Sequence, residues 1–280
     1  MKRLMMMAAA CLAVMAVAAQ KQLTILHTND THSTVMPLSD NLNDTMKAGR
    51  GGFLRRVAMV EAERRADPDL LLFDSGDFSQ GSTYYTMYKG DVEIGLMNMM
   101  KYDAATIGNH EFDFGLENMV RLFRMAEFPV VCANYDFRGT IAEDVVKPYV
   151  VLRRSGLRIG VFGLSPKLGG LVSWKNYPGV KYLDPVKTAA EMVAVLKGKE
   201  RCDVVVCLSH LGWDMKPEVD DSTVIANTEG IDIVLGGHSH TYLKDLEWVT
   251  DKGGRRVPVD QNGKHGIFIG KMRLKVDKVK

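Results

Sequence analysis

Short apolar runs alternate with segments of helical periodicity along most of this 280-residue chain, and this alternation limits the possible folds more than any other feature. Residues 23–26 predict a first strand, residues 51–65 carry apolar side chains at helical spacing, and residues 70–73 predict a second, buried strand. Such a chain forms a β-sheet covered by helices, so we predict an α/β fold in one domain. Further strands are predicted at residues 104–107, 130–133, 150–152, 157–164, 204–208, 231–235, 257–259 and 267–276, and further helices at 92–101, 116–125 and 185–197.

Polar motifs directly follow five of the predicted strands. The motifs are HTNDTH (27–32), DSGD (74–77), GNHEFD (108–113), SHLG (209–212) and GGHSH (236–240). Apart from His27, which closes the first strand, they contain five of the seven histidines of the chain. Because ligands collect at the carboxyl ends of strands in open α/β sheets, these motifs predict a single site at one edge of the sheet.

Imidazole and carboxylate groups are ligands that suit divalent transition ions, so the motifs predict a site for manganese, zinc, iron or cobalt. Too few carboxylates are present for a calcium cage. Two ions held close together need a shared ligand such as one carboxylate, and the pair can clamp a phosphate and activate a water for in-line attack. Each motif alone is compatible with a turn or a surface loop, and the prediction depends on their occurring in order behind strands. His27, at a strand end, and His265, in a predicted turn, are not assigned to the site.

The composition narrows the classes of partner. The formal net charge is +2, with no basic run or interleaved aromatic patch, so no nucleic acid is expected as a partner. After residue 19 the chain contains Cys132, Cys202 and Cys207, an odd number without CxxC spacing. Neither a disulfide framework nor a thiolate zinc site is therefore predicted.

Residues 1–19 have the features of a secretory signal peptide. Lys2 and Arg3 give a positive start, residues 4–19 are apolar, and small residues precede Gln20. The apolar run is short for a membrane span and no second long run follows, so we expect an exported, periplasmic or extracellular chain with no membrane span. Cys11 follows three alanines, as in a lipoprotein signal, but the apolar run continues past it, which makes lipid anchoring the less favoured alternative.

Taken together, the motifs resemble those of the calcineurin-like metallophosphoesterases, and within them the exported 5'-nucleotidase family. The resemblance covers nearly all of residues 20–280 and implies one metallophosphoesterase domain with a four-layer α/β/β/α sandwich. It implies that one metal is bound by Asp30, His32, Asp77 and His240 and the other by Asp77, Asn109, His210 and His238, with Asp77 as the bridge. His110 resembles the family's catalytic histidine, and Asp113 resembles the carboxylate that orients it.

The function implied by the resemblance is hydrolysis of phosphate monoesters, above all nucleoside 5'-monophosphates, by a hydroxide that two divalent ions activate. Complete members of the family continue into a C-terminal domain that stacks the base between aromatic side chains, and we expect no such domain in this chain. We expect a small phosphorylated substrate, with specificity that is either broad or supplied by a separate polypeptide. Two alternatives stay open: a phosphodiesterase or pyrophosphatase acting on cyclic nucleotides or nucleotide sugars, and a non-catalytic subunit of a split nucleotidase.

Overall fold

The computed structural model describes residues 21–276, so the predicted signal peptide and Cys11 lie outside the described residues. In this part of the chain the strands are β1 Lys21–Thr28, β2 Leu71–Asp74, β3 Ala104–Thr106, β4 Val130–Val131, β5 Tyr135–Asp136, β6 Tyr149–Arg154, β7 Leu157–Leu164, β8 Lys181–Tyr182, β9 Val204–Ser209, β10 Ile233–Leu235, β11 Glu247–Thr250, β12 Arg256–Asp260 and β13 Gly270–Val276. The α-helices are α1 Phe53–Ala66, α2 Thr83–Tyr88, α3 Asp91–Met100, α4 Gly115–Met125, α5 Pro185–Val193 and α6 Asp221–Asn227. Short 3-10 turns lie at His110–Phe112 and Trp174–Asn176, and α5 continues as a π-helical turn over Ala194–Lys199.

The strands form two large sheets and one small sheet. The first large sheet has the order β13-β1-β2-β3-β4, in which β1 to β4 are parallel and β13 runs antiparallel beside β1. The second has the order β11-β12-β10-β9-β7-β6, with antiparallel strands only at its two edges. Strands β5 and β8 pair with each other in the small sheet.

The two large sheets pack face to face, and helices cover the outer face of each. Apolar side chains from both sheets, among them Ile25, Phe73 and Val206, form the core between them. Leu26 and Leu72 point to the other face of the first sheet, where they pack with side chains of α1, α3 and α4. Helices α5 and α6 pack on the second sheet in the same way. The α/β fold and the four-layer α/β/β/α sandwich are therefore confirmed.

The structure differs from the sequence prediction in short elements. The predicted helix at 185–197 is α-helical only to Val193, and the predicted strand at 267–276 begins at Gly270. Helices α2 and α6 and strand β11 were not predicted, because segments of six, seven and four residues are too short to show a period. Ser82 and Asp220 do carry a helix signal, since their side chains accept hydrogen bonds from backbone N–H groups of the first turns of α2 and α6.

The register of the parallel strands determines where the polar motifs lie. Thr28 at the end of β1 pairs with Asp74 at the end of β2, and Leu208 in β9 pairs with Leu235 at the end of β10. The loops that follow these strands therefore begin at the same edge of each sheet. No helix formed by residues 21–276 is both long enough and apolar enough to cross a lipid bilayer.

Candidate metal centre

Side chains from all five polar motifs meet beyond the carboxyl ends of β1, β2, β3, β9 and β10. Three groups of residues each place their potential ligand atoms within 4.8 Å of one another. The groups are Asp30, His32 and His240; His32, Asp77 and His110; and Asp77, His210 and His238. Six of the seven predicted ligands thus lie in one connected cluster with His110, and the seventh, Asn109, carries an amide and not the imidazole, thiolate or carboxylate that defines these groups.

Asp77 lies at the centre of this cluster, because it belongs to two of the three groups and is only 2% exposed. Its Oδ1 accepts a hydrogen bond from the backbone N–H of His110 at 2.9 Å, and its Oδ2 lies 3.1 Å from His210 Nε2. His32 and His240 approach each other through their Nε2 atoms, which are 2.9 Å apart. The geometry places one carboxylate between imidazoles that come from distant parts of the chain.

Three buried polar atoms of these loops have no hydrogen-bond partner among residues 21–276: His32 Nδ1, Asn109 Oδ1 and His210 Nε2, the last of which lies near Asp77 Oδ2 without the geometry of a hydrogen bond. Buried polar atoms in native proteins are nearly always paired, so this concentration indicates atoms arranged to bind something else. His210 is the clearest case, since its Nδ1 lies 2.6 Å from the carbonyl oxygen of Ser75. A histidine that ligates a metal through one nitrogen usually donates the other N–H to a carbonyl in this way. The residues present therefore fit divalent cations.

The electrostatics of the cluster favour positive charge at His210 and a neutral imidazole at His238. Burial lowers the pKa of His210, but the charges of Asp77 and Asp30 outweigh it and raise this pKa to about 10. Burial raises the pKa of Asp77, but the imidazole of His210 outweighs it, so the pKa of this carboxyl lies below its usual value. Burial and the charge of His210 lower the pKa of His238 to about 4, which keeps that imidazole neutral and able to act as a ligand.

Five of the seven predicted ligands have a positive φ angle, a region that residues with side chains seldom adopt. These angles are 47° at Asp30, 43° at His32, 54° at Asp77, 73° at His238 and 55° at His240. Such conformations cost roughly 1–3 kcal/mol each and cluster at functional sites, where surrounding contacts hold them. Gly108 shows how tight those contacts are, because a Cβ atom at this position would collide with Asp77 Oδ1.

His110 and Asp113 form a hydrogen-bonded pair beside the cluster. His110 Nδ1 lies 2.9 Å from Asp113 Oδ2, and the two side chains are 29% and 30% exposed. The His110 ring centroid is 5.4 Å from that of His32. Burial lowers the pKa of His110, but the hydrogen bond to Asp113 and the charges of Asp77 and Asp113 outweigh it and raise this pKa. The pair can therefore present a protonated imidazole at the edge of the cluster.

Glu111 is a site residue to which the sequence prediction assigned no role. Its buried carboxylate accepts hydrogen bonds from three backbone N–H groups, those of Asp77 at 3.0 Å, Ser79 at 3.1 Å and Gly108 at 2.7 Å. It therefore ties the Asp77 loop to the loop that carries Asn109 and His110. The sequence did contain one indication of this role, because Glu111 is an acidic residue inside a motif of predicted ligands. A carboxylate buried at such a position must be paired.

The two histidines left outside the predicted site lie close to it. His27 is fully buried, and its Nε2 lies 2.9 Å from Asp260 Oδ2. The backbone N–H of His265 donates to the carbonyl oxygen of Asp30 at 2.8 Å, and its ring centroid is 6.1 Å from that of His32. Neither side chain belongs to the three groups of potential ligands found in residues 21–276.

The family model described as calcineurin-like phosphoesterase matches residues 23–242 of the chain. The chain belongs to this family. The match confirms the family predicted from the motifs, a family of metal-dependent phosphoester hydrolases, and it spans every predicted ligand and the His110–Asp113 pair. The similarity extends to proteins named 5'-nucleotidase, as predicted for this branch of the calcineurin-like phosphoesterases.

The human 5'-nucleotidase is 34% identical over 276 residues, which cover 91% of this chain and 47% of the human protein. Among solved structures, the 5'-nucleotidase precursor from Thermus thermophilus matches with a TM-score of 0.83 and 30% identity, over 91% of this chain and 52% of that one. The NAD nucleotidase of Haemophilus influenzae matches with a TM-score of 0.80 and 25% identity, over 91% of this chain and 47% of that one. This calcineurin-like phosphoesterase therefore spans about half the length of these relatives.

Proposed function

We propose that the protein binds two divalent cations that share Asp77 and hydrolyses phosphate monoesters, nucleoside 5'-monophosphates in particular. The observation that carries the proposal is the membership of Asp77 in two groups of potential ligands, with the His110–Asp113 pair beside them. One ion is assigned to Asp30, His32, Asp77 and His240, and the other to Asp77, Asn109, His210 and His238. The donor set suits manganese, zinc, iron or cobalt.

When bound, two such ions neutralise the phosphate oxygens and lower the pKa of a water so that it can attack phosphorus in line. The side chains of this chain determine where that chemistry occurs. Asp77 is shared by two of the groups of potential ligands, and Asp30 and His238 place their ligand atoms in these groups from a left-handed backbone. Binding a phosphate against this fixed frame replaces its hydration shell by preorganised charges, which is the main source of rate enhancement at such sites.

His110 acts on the leaving group. Asp113 Oδ2 accepts a hydrogen bond from His110 Nδ1 and holds the ring in one orientation. The raised pKa of His110 keeps a proton on Nε2, from which it can pass to the leaving oxygen as the ester bond breaks. Tyr85 donates to the carbonyl oxygen of His110 and so fixes the backbone from which the imidazole projects.

The names of the relatives support a nucleotide substrate, and the sequence of residues 1–19 supports an exported location. The human and Thermus thermophilus relatives are named 5'-nucleotidases, and the chain spans about half their length. Residues 1–19 act as a signal peptide and residues 20–280 form the metallophosphoesterase domain. Amino-terminal sequencing of the processed protein should start at Gln20, and an intact Met1 would contradict export by this signal.

A substrate panel tests the activity. The manganese-, zinc- and cobalt-loaded protein is assayed with AMP, p-nitrophenyl phosphate, bis(p-nitrophenyl) phosphate, a cyclic nucleotide and NAD. Turnover of AMP and p-nitrophenyl phosphate above that of the diesters is expected. Preference for NAD would favour a pyrophosphatase instead, a second candidate favoured by the match to the Haemophilus influenzae NAD nucleotidase. A protein that is inert with every ion and ester would refute the proposal.

A further inference from the structure

The two carboxylate oxygens of Asp30 have different surroundings. Oδ1 faces imidazole nitrogens, with His240 Nε2 at 3.4 Å and the Nε2 atoms of His32 and His210 each at 3.9 Å. Oδ2 accepts a hydrogen bond from the side-chain amide of Asn29 at 2.7 Å. The backbone N–H of His238 reaches both oxygens, at 3.1 Å and 3.0 Å. Asn29 therefore occupies one oxygen and leaves the other directed at the potential ligands.

Both polar atoms of the Asn29 side chain make hydrogen bonds within the protein. Its Oδ1 accepts from the backbone N–H of Asn262 at 2.9 Å, and its Nδ2 also donates to the carbonyl oxygen of Gly263 at 2.8 Å. The residue is 1% exposed, so water does not compete for these bonds. An amide with both donors and its acceptor engaged has a single orientation, because rotating it would leave buried groups unpaired.

The far end of the same network joins two strands. Asn262 Nδ2 lies 3.1 Å from His27 Nδ1, and His27 Nε2 lies 2.9 Å from Asp260 Oδ2. His27 belongs to β1 and Asp260 ends β12, so the network connects the first sheet to the second. Asn29 is thus fixed by the sandwich itself and not only by its own loop.

We infer that Asn29 is a positioning residue for the cation assigned to Asp30, His32 and His240, and that it makes Asp30 a one-oxygen ligand through Oδ1. The inference rests on the proposed two-cation function. Among the predicted ligands the Asn29 side chain contacts only Asp30, which the proposed function assigns to one ion. Asp30 Oδ1 lies nearer to His240 of that ion, at 3.4 Å, than to His210 of the other, at 3.9 Å, so the effect should fall mainly on the first ion. Groups that orient a ligand in this way usually change metal affinity by about 10- to 100-fold when removed.

The test is a manganese titration of the Asn29→Ala variant, followed by calorimetry and by electron paramagnetic resonance. One of the two ions should bind about 10- to 100-fold more weakly while the other keeps its parent affinity. At intermediate manganese the signal of a coupled pair should give way to that of isolated Mn²⁺. Asn98→Ala is the matched control, since Asn98 also makes two hydrogen bonds to backbone groups, those of Met125 and Glu127, but lies in α3. It should leave both ions unchanged.

Two further variants keep the test decisive. Asn262→Ala retains the backbone N–H that donates to Asn29 Oδ1. It should therefore lower the affinity for the same ion by a smaller factor than Asn29→Ala. If Asn29→Ala does not fold, Asn29→Ser should show the same selective loss. If Asn29→Ala binds both ions with the affinities of the parent protein, or binds both more weakly by the same factor, the inference is overturned. A parent protein that binds fewer than two ions would instead refute the proposed function, so the two failures are distinguishable.

Discussion

Replacing His110 with alanine tests whether this side chain protonates the leaving group. A general acid contributes about 10²- to 10⁴-fold to a rate, and the contribution is largest where the leaving oxygen is a poor leaving group. The ribose oxygen released from AMP is such a group, whereas p-nitrophenolate leaves with little help. His110→Ala should therefore lower kcat with AMP by about 10²- to 10⁴-fold and with p-nitrophenyl phosphate by much less.

The contribution of Asp113 follows from the geometry of the pair. A hydrogen bond to a charged group contributes about 1.5–3 kcal/mol when buried. His110 and Asp113 are 29% and 30% exposed, and such partial exposure reduces the value to about 1 kcal/mol. One pKa unit corresponds to about 1.36 kcal/mol, so Asp113→Asn should lower the pKa of His110 by a little less than about one unit. Because the protonated imidazole is the active form, the loss of activity on raising the pH should begin at a correspondingly lower pH.

The assay is kcat/KM against pH for both substrates, with metal content measured in every preparation. Asp91→Asn serves as the control for Asp113→Asn, since Asp91 forms an exposed ion pair with Arg121 in a different part of the surface. The control should reproduce the parent profile. Equal losses of kcat with AMP and p-nitrophenyl phosphate in His110→Ala, or an unmoved alkaline limb in Asp113→Asn, would refute the assignment of His110 as the acid.

Three other variants probe the frame of the site and its pH response. Asp77→Ala should remove both ions together, as measured by inductively coupled plasma mass spectrometry, and a variant that keeps both would exclude the shared ligand. Glu111→Ala leaves three buried N–H groups unpaired at about 1–3 kcal/mol each, so urea unfolding should show a loss of at least about 3 kcal/mol, against under about 0.5 kcal/mol for the exposed control Glu117→Ala. Burial raises the pKa of Asp221 to about 7, so the stability that its proton provides is complete below pH about 4 and is lost as the pH rises through 7. Asp221→Asn should remove that decline and be more stable than the parent at pH about 9 by up to about 4 kcal/mol, and parallel pH curves for the two proteins would contradict this.

Much of the sandwich could be predicted because its central strands are buried on both faces. Strands such as β2 and β9 then appear as continuous apolar runs, and their ends are marked by polar residues. The ligand motifs are short and contiguous. Residues such as Asp30 and His32 can therefore be recognised as potential metal ligands before the fold is known. The helix α2 has only its capping residue Ser82 as a signal, and the strand β11 has none, since neither segment is long enough to repeat its period clearly and neither forms an apolar run.

The contacts that hold the ligands could not be predicted. Glu111 binds backbone groups of the Asp77 loop, and a carboxylate that accepts only from backbone N–H has no partner side chain that a sequence pattern could reveal. Asn29 and Asn262 are 233 residues apart, and their contact exists only once both sheets have formed. His265 was expected in a turn outside the site, yet its backbone N–H donates to the carbonyl oxygen of Asp30. Such contacts depend on tertiary packing and not on local periodicity.

The most direct test of a shared carboxylate is an anomalous difference map from crystals soaked in manganese. Two peaks about 3.5–4 Å apart are expected, with the Asp77 carboxylate between them and Asp30 Oδ1 beside only one. A single peak, or two peaks that do not share Asp77, would contradict the proposed two-cation centre.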